Sequence, residues 1–457
     1  MILPEGGSVA QTINVADVID GRRIGGFEIR TFLLCAGVLF ADGFDVQGIT
    51  YVAPAISQEW GLARGAFGPT FSAGLLGVLL GAIFIAPLAD RIGRRRVVIG
   101  ACVAFGLCTL ATLLAGSLST LLPIRLVTGL GLGAAIPNAI ALASEYAPKR
   151  WRATTVMFVA SGLSVGSVVA GVAASRLIPT VGWHGIFVIG GVLPLLLAAA
   201  LGRWLPESLR FLAALPAREA DARRLLAVLT GAPVPEDARV TTGDAAAGKA
   251  TVVDLFKEQR ARSTVLLWIA FFMSLLNVYL TVNWLPTSLN ASGFSLSDAA
   301  LLTSIYHSGG VAGIYVLGLA MDRVGAKPIL IAAFVLAAAG FYTFATVPGL
   351  SVGAMTAVLI ATGFGVVGAQ GGINTITSMI YPVAMRSTGL GWALGVGRVG
   401  SIVGPTIGGM VLASAADPRS AYLVCIVPAL VGAVCVALLR WRSAVPRAAA
   451  ASATQPT

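Results

Sequence analysis

Gly68 to Arg96 reads GPTFSAGLLGVLLGAIFIAPLADRIGRRR, an uncharged apolar run over 68–89 followed by an aspartate, a glycine and four arginines. A run of ~20 apolar residues crosses the hydrocarbon core of a bilayer, and the arginine-rich turn behind it marks the cytoplasmic side. The turn has a second copy. Leu88-Ala-Asp-Arg-Ile-Gly-Arg-Arg-Arg96 is matched by Ala320-Met-Asp-Arg-Val-Gly-Ala-Lys-Pro328, again after an apolar run. Asp90 and Asp322 stand at an offset of 232, as do Pro54 and Pro286, while Arg152-Ala-Thr and Arg386-Ser-Thr are offset by 234. A near-constant offset with preserved topology is a parallel repeat, which puts a binding site between the halves near the midplane.

Outward from that stretch, comparable apolar segments lie near 32–55, 97–116, 120–143, 153–175 and 184–204, and then near 264–286, 299–320, 329–346, 350–379, 388–412 and 420–440. The fold class is therefore an all-α integral membrane protein of twelve transmembrane helices in two six-helix bundles. The first bundle covers 1–205, a cytoplasmic central loop 206–263, the second bundle 264–445, and a disordered tail 446–457. Gly231 to Lys249 reads as a flexible linker.

Composition agrees. The 457 residues are 57% hydrophobic and 11% charged, with a mean hydropathy of +0.88, whereas soluble domains carry roughly 25% charge. The polar N-terminus, Met1 to Arg30, lacks the apolar stretch of a cleavable signal. Of the 31 Lys and Arg, 26 fall on the side of the termini and only Arg64, Arg176 and Arg419 on the other. The bias places both termini in the cytoplasm of a multi-pass inner-membrane protein. It also accounts for the net charge of +11 without nucleic acid. The five cysteines lie in apolar segments at no disulfide or metal spacing. With two histidines and no cysteine cluster, a metal site is not expected.

Charges within the hydrocarbon cost at least ~2.5–3.5 kcal/mol, so intramembrane ionisable residues are functional candidates. Asp42, Asp45, Arg125 and Arg398 qualify. At a rise of about 1.5 Å per residue, Asp42 and Asp45 sit near mid-depth of span one. Their i, i+3 spacing puts them on one face. Arg398 sits at mid-depth in the other half, and Arg125 nearer the outer end of span four. An acid in an apolar cavity can take up a proton, and a guanidinium offers a planar fork that matches a carboxylate. Asp42 and Asp45 are thus candidates for proton coupling, and Arg398 and Arg125 for substrate binding. The alternative is that all four form structural ion pairs. Asn277, Tyr306, His307, Gln370 and Asn374 could also touch substrate, or simply bond a neighbouring helix. Tyr279 and Trp284 could stack on an aromatic ring, and Trp284 could equally anchor at the interface. In the repeated turns, Gly93 and Gly325 allow a tight bend. Asp90, Arg91, Arg94, Asp322, Arg323 and Arg386, with Glu145 at the end of span four, read as gating charges that bridge helices in one conformation only. The alternatives are topology-setting charge for some of Arg94 to Arg96 and a simple interface carboxylate for Glu145.

Asp90-Arg-Ile-Gly-Arg-Arg with its second copy resembles the loop motif of the major facilitator superfamily. Asp42-Gly-Phe-Asp45, Arg125-x-x-x-Gly-x-Gly-x-Gly133 with Pro137-Asn138, Pro206-Glu-Ser-Leu-Arg-Phe-Leu212 and Gly395-x-Gly-Arg398 narrow the resemblance to the aromatic acid:proton symporters. Ala86 stands where the family has glycine, and Gly318 restores it in the second copy. The resemblance implies a secondary transporter that imports a small organic anion, a hydroxybenzoate-like carboxylate, with a proton. It implies no cofactor beyond the proton gradient, action as a monomer, and no enzymatic activity. Other readings are efflux of drugs or metabolites, transport of an aliphatic acid or sugar, and a transporter-like sensor. Leu209-Arg210 after Pro-Glu-Ser departs from sugar porters, and Gly404-Pro405 lies in span eleven rather than span five, where exporters carry such a pair. Gly162-Leu-Ser-Val-Gly166 and Gly395-Val-Gly-Arg-Val-Gly400 match enzyme motifs, but no strand precedes either.

Overall fold

The computed structural model describes residues 12–231, 234–235, 239–241, 251–257, 260–382, 385–415 and 417–439. The expected tail 446–457 and most of the linker lie outside them. Twelve helices are long and apolar enough to cross a membrane. They are α1 Gly26–Glu59, α2 Gly68–Ile92, α3 Arg94–Leu114, α4 Leu118–Tyr146, α5 Arg152–Val181 and α6 His184–Trp204. The second set is α7 Ala261–Ala291, α8 Leu296–Val324, α9 Ala326–Thr346, α10 Val352–Ile380, α11 Arg386–Ser414 and α12 Ser420–Leu438. Several outrun their apolar stretches. The 34 residues of α1 make about 51 Å of helix against a hydrocarbon core of about 30 Å, so both ends project into polar surroundings.

Prolines inside α1, α4, α5, α6, α7 and α11 are tolerated because neighbouring helices shield the freed carbonyls. Helix α2 is interrupted. A wide turn at Gly81–Ile85 and a tight one at Ala86–Leu88 precede its last turn, where Pro87 has no N–H to give the regular ladder.

The repeat is visible in the packing. Within the first half α1 packs on α5 and α2 on α4; within the second α7 packs on α11 and α8 on α10. Gly93 (φ 101°, ψ 147°) and Gly325 (φ 105°, ψ 149°) adopt the same left-handed turn, which a side chain would strain. Gln58 and Asn290, related by the same offset of 232, hydrogen-bond at 2.9 Å, so the pseudo-twofold axis runs between α1 and α7.

Each half has its own apolar core, and a third cluster joins them. The joining contacts crowd the end away from the N-terminus, where α5 meets α8 and α2 meets α11. There Ser297 donates to the Ser175 carbonyl at 2.6 Å, and Ser72 bonds Thr406 at 2.8 Å. A Cβ on Gly65, itself at φ 85°, would strike the Gly409 carbonyl. Trp284 is not an interfacial anchor: it is 3% exposed, donates to the Pro405 carbonyl at 2.8 Å and meets Phe71 edge-on. Hydrogen bonds between the halves lie at mid-depth and toward this end, among them Gln47–His307, Thr50–Asn283 and Gln58–Asn290. Gly162 and Gly166 of the enzyme-like motif are helix-packing residues, set against the Ala36 and Phe40 carbonyls of α1.

The central segment is less linker-like than its composition suggests. Helices Leu209–Ala214 and Glu219–Thr230 bury Leu209, Leu212, Leu226 and Leu229 in the core of the first half. Strand β1 (Thr12–Asn14) pairs in parallel with β2 (Arg239–Thr241). Val252–Phe256 joins the second half instead, with Leu255 buried in its core.

Candidate functional site

Helices α1, α2, α4 and α5 of one half and α7, α8, α10 and α11 of the other enclose a cavity of about 170 Å³ at mid-depth. Its wall is mostly aliphatic, with Val46, Leu75, Ile136, Val278, Val282 and Val367 among the lining residues. Into it come Asp42 from the first half and Arg398, Tyr279 and His307 from the second. A cavity of ~150 Å³ holds a benzene molecule, so this one matches a single ring.

Asp42 is 1% exposed, and its Oδ1 is buried without a hydrogen-bond partner among the described residues. Arg398 donates from Nη1 to the Tyr279 hydroxyl at 3.4 Å and forms no ion pair among the described residues. An acid and a cation thus face one cavity from opposite halves, each with capacity to spare. Buried polar groups are ordinarily satisfied, so spare capacity on both walls points to a polar ligand.

Asp45 belongs to a different arrangement. An i, i+3 step along α1 is about 60° of net rotation, enough to turn its carboxylate back into its own half. There it accepts from Thr109 Oγ1 at 2.5 Å and pairs with Arg125 Nη1 at 3.3 Å. Arg125 also donates to Thr112 Oγ1 at 2.5 Å, and its guanidinium lies 5.3 Å from the Phe187 ring. Here the alternative of a structural ion pair describes the geometry. Asp45 and Arg125 line an adjoining chamber of about 40 Å³, which shares Val46, Leu75 and Val78 with the central cavity, and neither lines the central cavity itself.

The other candidates divide. His307 lines the cavity and lies 2.7 Å from Gln47 Nε2. Asn277 is placed elsewhere: its side chain donates to the Cys425 carbonyl at 3.1 Å, binding α7 to the start of α12. Tyr306 is fully buried in the second bundle beside Phe341 and Tyr422. It precedes His307 by one position, which is about 100° around α8. Gln370 and Asn374, on α10 one and two turns beyond Val367, each keep a buried carbonyl oxygen without a partner, but neither lines the cavity.

At the terminus-bearing end, Glu145 forms an ion pair with Arg94 and accepts from Ser208 Oγ at 2.5 Å. Glu207, not among the expected gating residues, accepts from the Arg95 and Ser208 amides at 3.1 and 2.9 Å. A Cβ on Gly93 would strike its carboxylate. Asp90, Arg91, Asp322, Arg323 and Arg386 are exposed and make no ion pair among the described residues. Thus the turn of the first half is tied to the Pro206-Glu-Ser segment, while its repeat copy at Gly325 faces open space. Glu207 was legible in that motif. Gln47 was legible only as one more polar residue in span one.

Two six-helix repeats, joined at one end and enclosing a mid-depth cavity, define a secondary transporter. The chain belongs to the major facilitator superfamily, whose family model matches residues 35–295 and 267–456. Among its relatives is a 4-hydroxybenzoate transporter, PcaK, of Pseudomonas putida, 38% identical over 93% of this chain and 96% of that one. A gallate transporter of the same species is 39% identical over 88% and 89%. The 3-(3-hydroxy-phenyl)propionate transporter of Escherichia coli is 35% identical over 84% and 87%. A solved bacterial homologue of the human lysosomal transporter Spinster, inward-facing and unoccupied, shares the fold with a TM-score of 0.71 at 18% identity, covering 91% of this chain and 97% of that one.

Proposed function

We propose that the protein imports a one-ring aromatic carboxylate together with a proton, by alternating access of the cavity between its halves. The observation that carries this is an acid and a guanidinium, Asp42 and Arg398, facing each other across a ring-sized aliphatic chamber with no ion-pair partner among the described residues. The relatives named for hydroxylated aromatic acids support the same class of substrate.

Charge counting supplies the coupling. Without ligand, one negative and one positive group share the cavity. A carboxylate docked on Arg398 adds a second anion, and the site stays neutral only when Asp42 carries a proton. Net charge in a low-dielectric cavity is costly, so anion and proton enter and leave together. Tyr279 orients the guanidinium, and the aliphatic wall takes the ring.

With both termini in the cytoplasm, as the positive-inside bias supports, the closed end faces outward and the cavity belongs to an inward-facing state. The charged turns at Asp90, Arg91 and Arg94 and at Asp322 and Arg323, with Glu145 and Arg386, then serve to bias that state against the outward-facing one. We take the working unit to be a monomer in the inner membrane, driven by the proton gradient with no other cofactor.

The test is uptake of labelled benzoate and 4-hydroxybenzoate into proteoliposomes under an imposed proton gradient, acid outside. Accumulation above equilibrium that a protonophore abolishes is expected. Uptake that ignores the gradient, or none of either acid, overturns the reading.

A further inference from the structure

We propose that Gln47 and His307 form the site that reads a hydroxyl on the ring position opposite the carboxylate. This rests on the cavity being the aromatic-acid site.

The two residues come from different halves and meet within hydrogen-bond distance, 2.7 Å between Gln47 Nε2 and His307 Nε2. An amide nitrogen can only donate, so the ring nitrogen accepts, and the imidazole proton sits on Nδ1. The Gln47 side chain also hydrogen-bonds Tyr51; toward a ligand, its amide oxygen can accept and the Nδ1–H of His307 can donate. A phenolic hydroxyl, itself both donor and acceptor, matches that pair. Both side chains line the cavity, and no other pair of lining side chains bridges the two halves by a hydrogen bond among the described residues.

Depth places them one ring from the anchor. Counting inward from the closed ends of α1, α8 and α11 at the helical rise per residue, Gln47 and His307 lie about 17 Å in, and Asp42 and Arg398 about 25 Å in. Along α1 alone Gln47 and Asp42 are five residues, about 7.5 Å, apart, and the hydrogen bond to Gln47 holds His307 at the same depth. The difference of about 8 Å at that rise suits a benzene ring with its carboxylate toward Arg398 and its far substituent toward the Gln47–His307 pair. The cavity volume of about 170 Å³ matches one ring, so discrimination among one-ring acids falls on substituents. Because the pair ties the halves together beside the closed end, a hydroxyl bonded to both residues would also hold that end shut behind the ligand.

The experiment measures affinity of purified protein by calorimetry for benzoate, 4-hydroxybenzoate and 4-methoxybenzoate. Wild type is expected to bind 4-hydroxybenzoate at least tenfold tighter than benzoate, and the methoxy acid, which cannot donate, no better than benzoate. In Gln47→Met and His307→Phe the ratio of 4-hydroxybenzoate to benzoate affinity should fall to within about twofold. His307→Gln, which keeps a donor and an acceptor, should retain part of it. If wild type binds both acids equally, or both variants keep the preference, the inference is overturned while the aromatic-acid reading stands. Equal loss of both acids in correctly folded variants also overturns it, since the pair would then serve closure alone. If wild type binds none of the three, the reading beneath it falls instead. The methoxy comparison needs no variant, so a misfolded mutant leaves the test intact.

Discussion

Asp42 and Asp45 are near neighbours on α1, yet replacing each by asparagine should fail in opposite ways. Asp45 and Arg125 are 2% and 4% exposed and paired at 3.3 Å. Removing one partner of a buried pair costs ~3–5 kcal/mol because the other charge is left without compensation. Thr109 can still donate to an asparagine oxygen, so Asp45→Asn should fall near the lower figure, roughly a hundredfold in the unfolding equilibrium. Asp42 has no such partner among the described residues, and its Oδ1 is already unsatisfied. Asp42→Asn breaks no ion pair or hydrogen bond among the described residues, and the isosteric amide keeps the packing, so stability should stay within ~1 kcal/mol of wild type. Thermal unfolding in detergent, followed by the intrinsic fluorescence of the 8 tryptophans, measures both. Asp45→Asn combined with Arg125→Gln leaves neither charge stranded and should regain most of the loss. Transport completes the contrast: Asp42→Asn should lose gradient-driven accumulation and keep counterflow exchange of labelled substrate. An Asp45→Asn protein as stable as wild type, or an equal loss in both variants, would refute the assignment of one aspartate to architecture and the other to coupling.

Further outcomes follow from the same geometry. Arg398→Ala should weaken binding of benzoate at least tenfold by calorimetry, since losing one side of a charge-assisted pair costs ~2–5 kcal/mol, and Arg398→Lys should fall between; unchanged affinity would move the anchor elsewhere. Gly93→Ala should lose more transport and thermal stability than Gly325→Ala. Both turns lie in the left-handed region, but only the first would also press a methyl into the Glu207 carboxylate; equal losses would leave backbone strain as the whole effect. Asp90→Asn should slow turnover more than it weakens binding, because the exposed turn lies away from the cavity. A larger binding defect in purified protein would count against a conformational role.

Hydropathy and charge placement are local properties of the chain, because each backbone segment must by itself survive transfer into hydrocarbon. The twelve spans, the repeat at offset 232 and the few charges that must be functional or paired could therefore be read from the sequence. So could Glu145 as a partner for a nearby arginine and Arg398 as a cation at mid-depth. Partnership is not local. Whether an aspartate meets the cavity or a buried arginine depended on a fraction of a turn about α1, set by how that helix packs on its neighbours. The same kind of rotation turned Asn277 and Tyr306 into the second bundle and His307, next to Tyr306, toward the cavity. For Trp284 the sequence left ring stacking and interfacial anchoring both open, because its place near the end of an apolar run says nothing about the helix from the other half that covers it. Gln47 and His307, far apart in the chain, meet only because the halves close on each other at one end. That closure is a property of the assembled bundles, and no segment of the sequence carries it alone.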